Sequence, residues 1–423
     1  LASGASQTGF GRTGTVDWDT TPKTATFTAV SGDGFFCNTT AGAFTCNLPA
    51  GSAGAIVSLA DYAATWNSNA LTVSPNGSDK IGSVNADVVL NTQGQSVTFV
   101  YVDGTQGWIN VQDSTSNERG NAFIAATGGT ITECGNDKIH TFTGPGTFTV
   151  TSTSPCAANN VVSYLVVAGG GGSGGDLAGG GGAGGYREVK SPVTPYTASP
   201  LDGYPSAPNR ITVTQTAYPI TVGGGGAAGA GPTVQEGCRG NPSIFSTITS
   251  TGGGAGMVRP SAQSGPPAPG KGPGGSGGGA CYNNGNNGSG NTPPVSPPQG
   301  NNGGTAPGST DAGAAGGGGA TAAGQAAQPP SAGQGNGGAG ATTSITGSPT
   351  AYAGGGGGGQ WSSGGGGTGG TGGGGAGGSN PGNQNGTAGT ANTGGGAGGA
   401  HAAGPAVGAA GGSGIVVIRY KFQ

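Results

Sequence analysis

Glycine-rich runs between residues 169 and 413 limit most strongly what this chain can fold into. The chain holds 103 glycines, and many of them stand in runs such as 168–185, 353–359 and 364–378. Glycine destabilises a helix by about 1 kcal/mol per position relative to alanine, so the region is not helical. A conventional sheet would have almost no side chains to pack. The region therefore needs a fold in which backbone contacts replace a side-chain core.

Polyproline II geometry meets this requirement. A collagen triple helix needs glycine at every third position, and QPPSA at 328–332 and QWSS at 360–363 interrupt that register. Polyproline-II rods leave their backbone groups free to bond outward, and glycine lets such rods approach one another closely. We predict a stacked sandwich of such rods over 169–413. A flexible linker is the alternative, but recurring Asn, Pro and Ser turn clusters favour the folded form.

The stretch from 15 to 116 has the alternating pattern of short β-strands. Turn signals such as SGDG, PNGSDK and DGTQG separate the strands roughly every 8–12 residues, which is typical of a β-sandwich. We predict an antiparallel sandwich or prism-like module here, preceded by an N-terminal segment or linker at 1–14. The large aromatic residues expected in its core are Phe35, Phe44, Trp66, Phe99, Tyr101 and Trp108.

A second β segment flanks the glycine region on both sides. Residues 121–168 alternate again, and the chain ends in GIVVIRYKFQ after a long interval without strand character. We expect this last strand to pair with the strand at 160–168, so that 117–168 and 414–423 together anchor the glycine region. The predicted fold is thus all-β, with N-terminal modules and an anchored polyproline-II sandwich, and without an α-helix of note.

Charge and hydropathy exclude two classes of partner. The net charge is −3 and no cluster of Lys or Arg is visible, so we expect no nucleic acid partner. The longest apolar runs, such as 161–168, are far too short to cross a bilayer, and we expect no membrane insertion. The chain begins at Leu1 without an initiator Met, which we interpret as a processed or truncated N-terminus.

The cysteines form three couples that are local in the sequence. They are Cys37 with Cys46, Cys134 with Cys156, and Cys238 with Cys281. An even number without CxxC spacing favours disulfides over zinc, and disulfides indicate an oxidising compartment. Free thiols in a particle that assembles in cytoplasm are the alternative.

The sequence carries no pattern that supports catalysis. Matches to GxGxxG are expected by chance among so many glycines, and no GK[ST] follows them. No GxSxG or HExxH motif is present, and His140 and His401 are far apart in the sequence. His140 lies within an alternating strand, where a structural role is the simpler explanation. We predict a protein that is not an enzyme, without cofactor or metal.

Aromatic residues that interrupt the glycine runs are the best candidates for recognition. Loops on a rigid scaffold commonly carry binding, and aromatic rings with nearby Asn side chains suit a glycan. Packing of these rings as local plugs against glycine faces is the alternative. The candidates are Tyr186, Tyr196, Tyr204, Tyr218, Tyr282, Tyr352 and Trp361.

The sequences that border the glycine region resemble a known family. NAFIAATGGTITECGNDKIHTFTGPGTFTVTSTS, SYLVVAGGGGSGGDLAGGGGAGGYREV and GGSGIVVIRYKF are similar to the glycine-rich domain of bacteriophage tail-fibre and other virion proteins. The stretch FFCNTTAGAFTCNLPAGSAGAIVSLADYAATWNSNALTVSPNGSDKIG resembles a β module of phage fibres, which implies a homotrimer. The glycine region is similar in composition to polyproline-II tip adhesins of phages.

The resemblance implies a virion fibre protein that attaches to a host cell. Its partners would be a host surface glycan or an outer-membrane protein, and its location would be extracellular, on the virion surface. A secreted bacterial filament or surface adhesin is the alternative, which would polymerise without end. An ice-binding protein would need a strict Gly-X-X period and a flat Ala/Thr face, and neither is sustained here.

Overall fold

A computed structural model describes most of the chain. The described residues are 16–114, 123–229, 235–258, 272–281, 287–306, 313–327, 335–361, 364–402 and 406–423. The chain forms two compact units, Leu1–Gly120 and Asn121–Gln423. Within the described ranges the structure is all-β, as predicted, with only two short 3₁₀ turns at Ala157–Asn160 and Ala207–Asn209.

The first unit is a two-layered stack of short strands. Its strands are β1 Asp17–Lys23, β2 Phe27–Thr28, β3 Asp33–Cys37, β4 Phe44–Asn47, β5 Ile56–Asp61, β6 Leu71–Ser74, β7 Val88–Leu90, β8 Ser96–Asp103 and β9 Gly107–Ser114. Sheet 1 has the order β1-β3-β5-β8-β9 and sheet 2 the order β2-β4-β6-β7. The first six strands alternate between the two sheets.

The expectation of an antiparallel module is wrong for these six strands. β1, β3 and β5 run parallel to one another, as do β2, β4 and β6. After each short strand the chain crosses to the other layer, so neighbours within a sheet are next-but-one strands that point the same way. Only the pairs β6–β7, β5–β8 and β8–β9 are antiparallel. The pattern of alternation predicts strands but does not specify which layer each one joins.

The core of the first unit lies between these two sheets. Inward-facing residues of both sheets form one apolar cluster, which buries all six aromatic residues predicted from the sequence. Trp66 and Trp108 are fully buried, and the edge of Trp108 meets the ring of Tyr101 at a centroid distance of 5.6 Å. Such aromatic pairs contribute beyond their buried area. The predicted core is confirmed.

The described residues of the second unit form thirteen strands. They are β10 Ala125–Thr127, β11 Thr130–Cys134, β12 Asp137–Phe142, β13 Gly146–Ser152, β14 Val161–Val167, β15 Tyr186–Val189, β16 Ile211–Thr212, β17 Ala217–Thr221, β18 Ser243–Phe245, β19 Ile248–Ser250, β20 Ala341–Thr343, β21 Thr350–Tyr352 and β22 Ile415–Lys421. Sheet 3 has the order β11-β12-β22-β14-β15, with β16 beside β14, and sheet 4 the order β10-β13-β17-β18-β19. β20 and β21 form a hairpin.

The C-terminal strand returns to the strand before the glycine region, as predicted. β22 pairs antiparallel with β14, from Ser163 opposite Arg419 to Val167 opposite Ile415. Val167 and Ile415 contribute to one apolar cluster, and Val166 belongs to a second cluster on the opposite face. Because both faces of these strands are buried, their sequences are almost continuously apolar. The glycine region is therefore tied to a sheet at both of its ends.

Glycine segments continue directly from strands of the anchoring sheets. The chain leaves β14 at Ala168, turns at Asp176 and Leu177, and returns along 178–185 into β15. Both turn residues have positive φ, 52° and 50°. Residues 222–229 follow β17, 251–258 follow β19 and 353–360 follow β21. The glycine rods are thus extensions of the sheets.

The rod at 178–185 shows the geometry of the lattice. Its residues are buried, and apart from an isolated bridge between Ala178 and Val258 they have neither helical nor strand bonding. Its amides donate to three neighbours in strict rotation: Gly179 to Met257, Gly180 to Ala315, Gly181 to Ala397, Gly182 to Gly254, Ala183 to Gly318 and Gly184 to Gly394. The amide of every third residue donates to the same neighbouring segment, which is the three-residue repeat of polyproline II. A flexible linker has no such order.

The carbonyls of the same rod accept from three further segments. The donors include Gly171 to Gly182, Gly279 to Gly180 and Gly356 to Gly181. The rod therefore has six neighbours, three through its amides and three through its carbonyls. A Cβ added to any glycine from Gly179 to Gly184 would meet a backbone carbonyl of a neighbouring rod inside van der Waals contact. The lattice excludes side chains at these positions.

We expect Gly181→Ala to destabilise the second unit. The added methyl group would meet the carbonyl oxygen of Gly171, which belongs to backbone and cannot rotate away. Overpacking of this kind costs about 1–3 kcal/mol. Urea denaturation of the full chain, followed by circular dichroism, measures the loss.

Gly365→Ala is the matched control, because a Cβ there has no neighbouring atom within 4 Å. It should leave the free energy of unfolding nearly unchanged. Equal effects of the two substitutions would contradict the close-packed lattice.

Candidate functional site

Two of the aromatic candidates belong to the protein core. Tyr186 on β15 is 1% exposed and Tyr352 on β21 is 4% exposed, and both pack in the cluster that contains Leu165 and Val167. The hydroxyl of Tyr186 donates to Glu188 Oε2 at 2.7 Å. The prediction that these two rings contact a receptor is wrong. They follow glycine runs in the sequence because the rods continue into buried strands, not into loops.

Three further candidates are half-buried by neighbouring side chains. The guanidinium of Arg419 lies 5.2 Å from the ring centre of Tyr196, and that of Arg210 lies 4.4 Å from the ring centre of Tyr204. Tyr218 packs against the apolar cluster of sheet 4, and its hydroxyl accepts a hydrogen bond from the amide of Thr214. Burial raises the pKa of Tyr196. These rings stabilise the 190–218 segment and are partly accessible.

Trp361 packs against a small apolar group that we call the distal cluster. Its members are Leu177, Met257, Cys281 and Ala314, with Trp361 and Ala402 packed against them. Leu177 lies in the turn between the two rods that leave and re-enter sheet 3. The cluster therefore lies at the end of these two rods that is away from sheet 3. Tyr282, the remaining candidate, lies outside the described residues but follows Cys281 directly in the sequence.

No two cysteines lie at disulfide distance in the structure, so the three predicted disulfides are not supported. Cys37 on β3 of sheet 1 and Cys46 on β4 of sheet 2 both face the core between the two sheets, but they do not form a disulfide. Cys238 is exposed, whereas Cys281 is buried and its Sγ donates to the carbonyl of Leu177 at 2.9 Å. Proximity in the sequence does not translate into pairing in this fold.

The remaining couple, Cys134 and Cys156, is also unpaired. Cys134 ends β11, and Cys156 is exposed immediately before the 3₁₀ turn at 157–160. The register of β11 places Cys134 opposite Asp137 at the turn into β12. The two thiols therefore belong to separate local structures.

His140 occupies a structural position in sheet 3. Its Nδ1 lies 2.7 Å from the carbonyl oxygen of Gly128, which can only accept, so Nδ1 carries the proton. Nε2 then accepts from the hydroxyl of Tyr420 at 3.1 Å. Burial lowers the pKa of His140. Both ring nitrogens are occupied by structural partners, which leaves this ring no free group for proton transfer.

The described part of the chain shows no arrangement for metal ligation. Within these ranges no three His, Cys, Asp or Glu side chains converge as metal ligands would. The same ranges contain no helix that is both long and apolar enough to cross a membrane.

A buried ion pair ties the C-terminal strand to the start of β12. Arg419 Nη2 lies 2.7 Å from Asp137 Oδ2, and both side chains are at most 3% exposed. The guanidinium also donates to the carbonyl oxygens of Ile345 and Pro195, both at 3.2 Å. One side chain thus joins β12, the segment before Tyr196 and the segment after β20.

The first unit contains a cavity of about 390 Å³. From the sequence we predicted only core packing in this stretch. Val97, Phe99 and Trp108 contribute to its apolar wall, while Gln95 and Asp113 contribute polar groups. Gln95 Nε2 donates to Asp113 Oδ1 at 3.1 Å. The alternating pattern identifies Trp108 as inward-facing but carries no sign of the space beside it. The structure alone reveals this site.

A row of aromatic rings lies on the outer face of sheet 1. The ring centres of Trp18 and Phe36 are 4.8 Å apart, and those of Phe36 and Tyr62 are 6.5 Å apart. Trp18 is 39% exposed and Tyr62 is 55% exposed. Exposed apolar groups that adjoin one another commonly mark contact surfaces. The sequence analysis placed none of these three rings at a surface.

The glycine-rich domain family model matches residues 140–421, about two thirds of the chain. The chain belongs to the glycine-rich domain family. The matched region begins within β12 and ends at the last residue of β22, and these strands are neighbours in sheet 3. The glycine-rich domain therefore comprises the lattice together with the strands that close it. A search of curated proteins found no match.

We expect the native chain to expose only part of its thiols. Burial raises the pKa of the Cys37 thiol and raises that of Cys46 to about 12. Both stay protonated and unreactive near pH 8, since the thiolate is the nucleophile. Cys156 and Cys238 are exposed and should be alkylated by iodoacetamide. Mass spectrometry of the native protein measures this pattern.

The same reagent should label all six cysteines in denaturant without a reductant. Labelling that requires prior reduction would show that disulfides are present after all.

We expect Asp137→Asn to destabilise the glycine-rich domain strongly. The substitution leaves the guanidinium of Arg419 buried without its carboxylate. Loss of one partner of a buried pair costs about 3–5 kcal/mol. Denaturant unfolding measures this loss in the free energy of unfolding, with Glu133→Gln as the control.

Glu133 lies 3.7 Å from Lys138 in an exposed pair, which contributes about 1 kcal/mol or less. If Asp137→Asn lowered the free energy of unfolding no more than Glu133→Gln does, a structural role for the buried pair would be excluded.

Proposed function

We propose that this protein is a structural and adhesive component of a virion fibre, which attaches the particle to a host cell surface through loops of its glycine-rich domain. The observation that carries the proposal is the form of the lattice. Its buried rods bond to one another mainly through backbone groups, and a Cβ at most of their glycines would meet a neighbouring carbonyl. Such a body serves as a rigid scaffold, and recognition on a rigid scaffold belongs to loops.

The distal cluster supports the choice of contact region. Met257, Cys281, Trp361 and Ala402 each precede, within two residues, a segment outside the described ranges. These four residues lie in or against the cluster that contains Leu177, the turn residue between the rods that leave and re-enter sheet 3. Trp361 packs against this cluster, and Tyr282 follows its member Cys281 directly in the sequence. We place the contact with a host glycan or outer-membrane protein at this end.

The thiols favour a virion over a secreted filament. Disulfides form in oxidising compartments, and secreted proteins commonly use them. No two cysteines here lie at disulfide distance, and Cys37 and Cys46 are buried in a continuous apolar core. This agrees with a particle that assembles in cytoplasm and is released afterwards to act outside the cell.

The resemblance to phage fibres also suggests an oligomeric state. Fibre β modules commonly associate as homotrimers, and we propose a trimer for this chain. The exposed row of Trp18, Phe36 and Tyr62 on sheet 1 is an apolar surface available for contacts of this kind.

The assembly and its location can be tested on the purified full chain. Mass photometry should give a closed species of three 39.3 kDa chains. Antibodies against the chain, coupled to gold, should label the tips of virus particles in electron micrographs. Open-ended filaments of growing mass, or label confined to bacterial surfaces, would instead establish the secreted adhesin and overturn the virion proposal.

A further inference from the structure

Two rows of paired residues cross the outer face of sheet 1. Paired residues of neighbouring strands point their side chains to the same face. The first row crosses all five strands and contains Trp18, Gly34, Ser58, Thr98 and Gln112. The second row lies beside it and contains Phe36, Ala60, Ser96 and Ser114. None of these side chains carries a charge, so both rows are neutral.

The middle of the first row is low because its residues are small. Gly34 has no side chain, and Ser58 is almost covered, with its hydroxyl 2.8 Å from that of Thr98. Trp18 at one end of the row and Gln112 at the other are exposed. Together with Ser58 and Thr98 they line a depression of about 140 Å³, which we call the trough.

Gly34 lets the indole of Trp18 lie against the sheet. A Cβ at Gly34 would stand 2.7 Å from Cδ2 and 2.8 Å from Cε3 of Trp18, inside van der Waals contact. The indole therefore packs over the bare backbone of β3, while Trp18 is still 39% exposed. The ring of Phe36 lies beside it, with 4.8 Å between the ring centres and an angle of 32° between the planes. An aromatic surface is thus open to solvent at one end of the trough.

These groups match the chemistry of a neutral glycan. A sugar ring has a face of C–H groups that can stack on the electron-rich face of an aromatic ring. Its hydroxyls both donate and accept, as do the hydroxyls of Ser96 and Thr98 and the amide of Gln112. The residues that line the trough carry no charge to pair with an ionic partner. Asp33, which lines a second depression together with Trp18, would repel an acidic sugar.

We propose that the trough binds a chain of neutral sugars laid across the strands of sheet 1. Neighbouring strands stand about 4.8 Å apart, so the first row is about 19 Å long from β1 to β9. This length holds several sugar units, with one ring stacked on Trp18 and hydroxyls of later units bonded to Thr98 and Gln112. The site belongs to the first unit, outside the region matched by the family, and does not depend on attachment through the glycine-rich domain.

Contacts between copies of the chain would compete for the same face. The exposed rings of Trp18 and Tyr62 are accessible to either partner. A protein interface buries a core of apolar and aromatic side chains. The first row, by contrast, presents only hydroxyl and amide groups from Ser58 to Gln112. The polar middle of the trough therefore favours a sugar.

Isothermal titration calorimetry of the full chain tests the proposal. The probes are uncharged tetrasaccharides of glucose, galactose, mannose and N-acetylglucosamine, and at least one should bind. Trp18→Ala removes the stacking ring and should weaken that binding about tenfold. Trp18 is exposed on an edge strand, so circular dichroism should show an unchanged fold.

Gln112→Ala tests whether the sugar chain reaches the far end of the trough. Gln112 is exposed, so the fold should be retained, and the loss of its hydrogen bond should weaken binding about fivefold. Val89→Ala is the control, because Val89 is 56% exposed on sheet 2 and does not line the trough. It should leave sugar affinity unchanged.

The proposal is overturned if none of the four tetrasaccharides binds, or if Trp18→Ala binds as tightly as Val89→Ala. Unchanged affinity of Gln112→Ala would overturn it as well, because the sugar chain would then not cross the sheet. Mass photometry of the same samples separates these results from chain assembly. A trimer that binds no sugar and dissociates in Trp18→Ala would assign the face to contacts between copies and exclude the glycan.

Discussion

Backbone hydrogen bonds between glycine rods are the interaction on which the second unit depends. The rod at 178–185 uses its amides and its carbonyls on six different neighbours, so that little of its polar backbone is left unpaired. Glycine permits this close approach, because a Cβ at any glycine from Gly179 to Gly184 would meet a carbonyl of a neighbouring rod. The requirement explains why glycine dominates so long a stretch and why residues 272–413 contain only one charged residue, Asp311.

The lattice also depends on apolar strands at its base. A polyproline-II rod has no internal hydrogen bonds and does not nucleate by itself. β14 and β22 are buried on both faces and hold the first and last rods in register. The buried pair of Arg419 and Asp137 ties this base to β12. Side-chain packing thus sets the positions from which backbone bonding extends.

The sequence predicted what depends on composition and local pattern. The return of the last strand and the rod geometry follow from an apolar run after a stretch that can form neither helix nor sheet. The layer each strand joins in the first unit was not predictable, because alternation looks the same for parallel and antiparallel neighbours. The burial of Tyr186 and Tyr352 was missed, since a strand that follows a glycine run resembles a loop. The cavity beside Trp108 was missed because it depends on a bulge at Val111 and on unequal sheet lengths.

The continuity of strand and rod has a mechanical consequence. A tensile force applied at the distal cluster would be transmitted along the covalent backbone from Leu177 through 178–185 into β15, without an intervening flexible joint. The lateral bonds of each rod point away from its axis, so axial tension loads them together in shear instead of opening them one after another. Sliding one rod would require breaking bonds to several neighbours at once. A body built this way resists traction from its tip even though it holds little conventional core.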